Sequence, residues 1–254
     1  MERISASKSV FVPIEHIGKN YLPLVEDLRN QVIMYVDIVP MDSIPYNSSA
    51  VGFSSNNAIL SFADKIGNAY PFKDIPAKRF NIADNGGNRL PIMRVLSLQN
   101  SYIDVIDPAD VGKVVVFVFW YQQDLYSASD TAVTTQIDSI EVPIQTISQR
   151  NLMPDLRALA HKRFRRLSFV APAYARTGIS GVTDLESKNI YVSLYKGNFA
   201  VLDLLPLPEL NDLYALDCIV LKNIQFDLNN SFVIVGGNND YRGKVVFLNV
   251  TYEN

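Results

Sequence analysis

The sequence predicts an all-β protein in which one antiparallel sandwich is written twice. Three observations carry this. Tyr and Phe are abundant, 13 of each in 254 residues, and the apolar runs are rich in β-branched residues, a bias toward strands. Gly, Asn and Pro punctuate many short apolar segments, the spacing of a sandwich or barrel. The chain also matches itself when shifted by 130 positions.

The matches keep their order. Val12-Pro13-Ile14 falls on Val142-Pro143-Ile144, and Phe80-Asn81 on Leu210-Asn211. Asn100-Ser101-Tyr102-Ile103 falls on Asn230-Ser231-Phe232-Val233. After one inserted residue, Gly112-Lys113-Val114-Val115 falls on Gly243-Lys244-Val245-Val246, and Tyr121 on Tyr252. Two unrelated β segments with similar turns would not hold such a series in register. Two long copies mean a duplicated domain rather than a solenoid of short units, with expected domains 1–130 and 131–254.

Each copy opens with a strand, "SVFVPI" and "SIEVPI". A short helix is expected next, "LPLVEDLRNQ" with Pro23 in its first turn and "MPDLRALAHKRF" with Pro154 in that role. Leu152, Leu156 and Leu159 would form its apolar stripe. The remaining strands pair off as "QVIMYVDIV" with "RRLSFVAPA", and "AILSFAD" with "IYVSLY", the last two each followed by a Gly-Asn turn. Then come "RLPIMRVLSL" with "DCIVLKNIQF", "SYIDVI" with "SFVIV", and "KVVVFVFWY" with "KVVFLNVTY". In the last, Val246, Leu248 and Val250 face the core while Asn249 and Thr251 face out.

"KVVVFVFWY" is apolar on both faces and needs cover from the sister domain or another subunit. Each such side chain is worth about 1.5–3 kcal/mol when fully buried. Polar "MERISASKS" reads as an arm, and Gln122 to Ser139 as the link between copies. Seven or eight strands and one short helix per copy fit an eight-stranded antiparallel jelly roll. An immunoglobulin-like sandwich fits the same count, although its Cys…Trp…Cys hallmark is absent.

Little in the chain points to chemistry. The net charge of −3 implies no global attraction to nucleic acid or membrane. The single cysteine, Cys218, reads as a buried thiol. No apolar run approaches the roughly 20 residues of a membrane span, and the N-terminus lacks a signal-peptide core, so a cytoplasm-like compartment is expected. The sequons at Asn47, Asn229 and Asn249 read as coincidence. His16 and His161 do not match in the repeat, so a duplicated metal site of the cupin kind, which needs clustered histidines and a glutamate, is not expected. Gly-Gly at Gly86 and Gly236 reads as a turn, and Gly-Lys at Gly112 and Gly243 opens strands rather than a phosphate loop. Asp104 could serve a glycosidase-like cleft, but its counterpart is Ile234. No catalytic residue, cofactor or metal is expected.

One charge cluster stands out: Arg157, His161, Lys162, Arg163, Arg165 and Arg166, with Arg150 nearby. It is either an interior or interface patch touching packaged nucleic acid or anionic lipid, or the solvated C-terminal end of the expected helix, or one side of a salt-bridge network between subunits.

Two fused sandwiches, a helix against each, and strands ending in "GKVVVFVFWY" and "GKVVFLNVTY" together resemble the double jelly-roll major capsid proteins of tailless icosahedral DNA viruses and phages. The resemblance implies homotrimers, each a pseudo-hexameric block of six similar barrels. These would tile an icosahedral shell, with neighbouring capsomers and other virion proteins as partners. Assembly would take place in the host cytoplasm, and the outer row of "KVVVFVFWY" would be a trimer contact. The alternative is a tandem β-sandwich binding module, lectin-like or a phage receptor-binding or tail accessory protein, with Tyr46, Tyr70 and Tyr214 stacking on sugars. A hydrolase on a jelly-roll frame is the third reading.

Overall fold

The computed structural model of the chain describes residues 3–50, 53, 55–66, 69–81, 84, 89–124, 135–154, 159, 162–169, 171, 180–211, 220–237 and 240–253. The protein is mostly β. Its strands are β1 (Arg3–Pro13), β2 (Gly18–Tyr21), β3 (Val32–Ile38), β4 (Ser43–Ile44), β5 (Asn47–Ala50), β6 (Ala58–Asp64), β7 (Phe72–Pro76), β8 (Arg94–Val105) and β9 (Val114–Asp124). They continue as β10 (Thr135–Pro143), β11 (Arg150–Leu152), β12 (Arg163–Phe169), β13 (Ser180–Gly181), β14 (Ile190–Lys196), β15 (Phe199–Pro206), β16 (Val220–Gln225), β17 (Asp227–Val235) and β18 (Lys244–Glu253). One short α-helix, α1 (Asp184–Ser187), precedes β14. By contact the chain divides into two compact units, Ser7–Asp42 with Ser49–Gln122, and Met1–Ala6 with Ser43–Ser48 and Gln123–Asn254.

In the first unit the strand orders are β1-β9-β3-β8 and β7-β6-β8-β2. β8 serves both because it is long, so the two strands expected at "RLPIMRVLSL" and "SYIDVI" are one. Its Arg94 and Val95 pair with β3, while Tyr102–Val105 pair with β2 and β6. The core lies between these layers, where Phe62 packs edge-on against Phe80 and Phe119 at 5.6 and 6.4 Å between ring centres. The expected helix is only a 3-10 turn, Glu26–Leu28. Leu28 alone in it is buried and Leu24 is exposed. Without an apolar stripe to lay on the sheet, so short a segment does not sustain a helix.

In the second unit the orders are β10-β18-β12-β16 and β11-β17-β14-β15. The helix expected up to Phe164 is overturned at its end, because Arg163 and Phe164 open β12. Phe164, Leu167 and Phe169 point inward on a ladder with β18, and that burial decides the local structure. Leu152 lies in β11 and is exposed, whereas Leu159 is buried; Leu156 lies outside the described residues, and the expected stripe does not form. α1 is set by a capping box between Thr183 and Glu186. Of the residues expected to form a polar arm, 3–9 belong instead to β1, with Ala6 and Ser7 fully buried, and 1–2 lie outside the described residues. Of the expected link, Gln122–Asp124 extend β9 and Thr135–Ser139 open β10; 125–134 lie outside the described residues.

The same polar devices recur at matching positions in both units. Asn20, buried, accepts from the Glu15 and His16 amides and donates to the His16 and Gly18 carbonyls. Asn151 does the same with Gln145, Thr146 and Gln149. The Ser101 hydroxyl donates to the Ser97 carbonyl and accepts from Ala63, as Ser231 does with Asp227 and Tyr195. Ser61 accepts from the amide of Asp74, and Ser193 from that of Leu204, both amides at a positive φ. Gly112 and Gly243, each at φ 85°, turn the chain so that their amides reach Ile14 and Ile144 at 2.8 and 2.9 Å; a side chain there would be strained. Even the bulges agree: one residue is inserted between Ile33 and Tyr35 opposite β9, and one between Phe164 and Arg166 opposite β18.

Candidate functional site

Features found in both units are requirements of the fold. The candidate site is sought where matching positions differ. Among the described residues one such difference lies on the side of β3 and β9, and of β12 and β18, that faces away from the core.

In β3 the inward residues are Ile33, Val36 and Ile38. The bulge between them turns Met34 and Tyr35 to the other side, with Val32 and Asp37. On β9, Val116, Val118 and Trp120 face the same way, and all are buried. Segment 89–92 leads into β8 across this side, with the Ile92 amide donating to the Met34 carbonyl at 2.8 Å. Arg89 reaches Asp37, Nε to Oδ2 2.8 Å, with side chains only 5% and 1% exposed. The Trp120 indole donates to the same oxygen at 2.8 Å, and the guanidinium sits 5.8 Å from the Trp120 ring. Burial raises the Asp37 pKa above the usual carboxylate value, against the opposing pull of Arg89 and Trp120. Because Val115 to Tyr121 are all buried within the single chain, the outer row of "KVVVFVFWY" is not an open face. The expectation that it forms a trimer contact is corrected.

In β12 the matching side carries arginines. Phe164 and Leu167 both face inward, so the bulge turns Arg165 and Arg166 to the side of Arg163. Arg163 and Arg166 are exposed and Arg165 is half-buried. Asn249 and Thr251 of β18 and Gln225 of β16 share this side. Of the sequence-predicted cluster, Arg163, Arg165 and Arg166 thus come together on a strand rather than a helix end. Lys162 leans onto the Tyr252 ring at 5.6 Å, and Arg157 and His161 lie outside the described residues.

Other singled-out residues are scattered. Tyr46 is exposed in a turn. Tyr70 is half-buried, its hydroxyl donating to the Asn100 carbonyl; Tyr214 and Cys218 lie outside the described residues. Residue composition did not mark the aromatic group formed by Tyr21, Tyr70 and Tyr102, with ring centres 5.7 and 5.6 Å apart. The Lys19 ammonium caps Tyr102 at 4.4 Å. A groove of about 360 Å³ beside it is lined by Phe11, Pro13, His16, Lys19, Tyr21 and Pro23. The second unit repeats the cation over the ring as Arg150 on Phe232, 4.5 Å, which marks it as part of the fold. Arg242 is bound by both nitrogens to Asp240 and holds that carboxyl at about 2. His16 is exposed. Asp104 pairs in register with Lys19 and Ile59. Among the described residues no three His, Cys, Asp or Glu side chains are placed to share a metal. No protein-family model, curated protein or solved structure matches the chain.

Proposed function

We propose that this chain is a structural protein of a viral shell, built of two tandem jelly rolls and assembling as trimers into an icosahedral capsid. One observation carries the reading: both units run their strands in the same two orders, with matching registers, bulges and polar devices. Leaving out the short β4, β5 and β13 and counting β8 as two strands, the first, last, third and sixth strands in one layer and the second, seventh, fourth and fifth in the other follow the order of a jelly roll. Two similar barrels in one chain make a pseudo-dimer, and three such chains make a near-hexagonal tile. Contacts between tiles need exposed apolar surface. In the first unit Ile17, Ile106 and Val111 supply it, exposed around the end where Gly18 pairs with Val105 and Gly112 with Ile14.

The test is the mass of the purified protein by light scattering, together with negative-stain images. Trimers or particles are expected, and Ile17→Ser with Ile106→Ser shifts them toward monomer. A chain that stays monomeric at high concentration under all conditions overturns the proposal. A second reading, a tandem binding module for glycans, is favoured by the exposed Tyr21, edge-on to Tyr102 and lining the adjacent groove. Glycan-array binding by a monomer, abolished by Tyr21→Ala, would select it.

A further inference from the structure

We propose that the arginine side of β12 binds the phosphate backbone of nucleic acid. The two units act as a built-in control. β3 and β12 share the bulge, the inward residues and the ladder to the last strand of their unit. Yet β3 makes the same structure with Val32, Met34 and Tyr35 where β12 has Arg163, Arg165 and Arg166. The fold therefore does not require the three cations.

The surroundings select the partner. Arg163 stands in register with Gln225 and Glu253, Arg166 with Thr251 and Val220, and Ser168 with Asn249. Apart from the carboxylate of Glu253 opposite Arg163, the polar neighbours are amides and hydroxyls, which with arginine form the donor set used on phosphate and sugar. A surface that lies on a lipid bilayer carries Trp, Phe or Leu beside its cations. Phe247, the large apolar residue on this side of β18, is buried. Lys162, Arg165 and Arg166 are also engaged within the chain. Contacts to phosphate and sugar carry no sequence information directly, so binding through them is expected to be independent of base identity. The inference does not rest on the shell reading, since it concerns the unassembled chain.

Three phosphate contacts give a slope of log affinity against log salt of about −2, so raising salt from 50 to 200 mM weakens binding about 20-fold. The experiment is fluorescence anisotropy of a labelled 20-nucleotide DNA strand of mixed sequence, titrated with the full chain at several salt concentrations. Arg163→Gln with Arg166→Gln should weaken binding about tenfold or more at 50 mM and flatten the slope by about 1.4. Lys65→Gln with Lys78→Gln removes the same charge from exposed sites of the first unit and should change neither. Arg163→Lys with Arg166→Lys should retain most of the affinity, and circular dichroism melts report that each variant folds. No binding by the wild type at 50 mM overturns the proposal. So do equal losses in the two Gln pairs, or binding to phosphatidylserine vesicles without binding to the oligonucleotide.

Discussion

Replacing Arg89 by methionine removes one half of a buried ion pair and leaves the other. Asp37 is then a carboxylate with its side chain 1% exposed, retaining the Trp120 indole as its hydrogen-bond donor at 2.8 Å. Stranding a buried charge in this way costs about 3–5 kcal/mol. At a urea dependence of about 2 kcal/mol/M that lowers the unfolding midpoint by about 1.5–2.5 M. Trp120 is the only tryptophan and touches the pair, so its fluorescence follows the unit concerned. The companion variant Asp37→Leu with Arg89→Met removes both charges and should recover most of the loss, because an apolar replacement of a buried pair is about neutral. The deficit also depends on pH. Burial already holds the Asp37 pKa above its ordinary value, and losing Arg89 removes a lowering influence and raises it further. The charged form is the destabilising one. The deficit is therefore full above the raised pKa and fades as pH falls through it toward the ordinary carboxylate value. A loss below about 1 kcal/mol for Arg89→Met, or a double variant no better than the single, would refute the reasoning.

Asn20→Ala and Asn151→Ala should each cost about 2–3 kcal/mol in urea unfolding, since each strands buried backbone groups that one amide satisfies, and the two losses should be alike. Gly236→Ala should destabilise by about 1–3 kcal/mol, because its Cβ would stand 2.5 Å from the Ile44 carbonyl oxygen and 2.8 Å from Ser43 Oγ. Gly243→Ala meets nothing within 4 Å and should cost only about 1 kcal/mol, from its positive φ. Burial alone would raise the Glu186 pKa, but the Lys244 ammonium and the Thr183 amide hold it below the usual glutamate value. Its stabilisation is thus present above that value and lost as pH falls through the lowered one. Glu186→Gln should flatten the acid side of a stability–pH profile measured by thermal melting.

The strands were legible because strand formation here is a local, period-two pattern. "AILSFAD" is β6 residue for residue, and Val246, Leu248 and Val250 face inward as their alternation requires. The recurrence of residues such as Ser101 and Ser231 was also plain in the chain alone, whereas the matching roles of Asn20 and Asn151, offset by one residue from that register, emerged only from their hydrogen bonds. What local pattern could not decide was anything set by distant neighbours. The segment around Arg163 has good helix formers, but its burial against β18 made it a strand. The outer row of β9 looked like an interface until segment 89–92 was seen to lie against it, with Arg89 placed on Asp37 and Trp120 from 52 residues away in the chain. The arginines of β12 came to share one side only through a bulge, which turns two consecutive residues the same way, and a bulge is a property of the pair of strands rather than of either sequence.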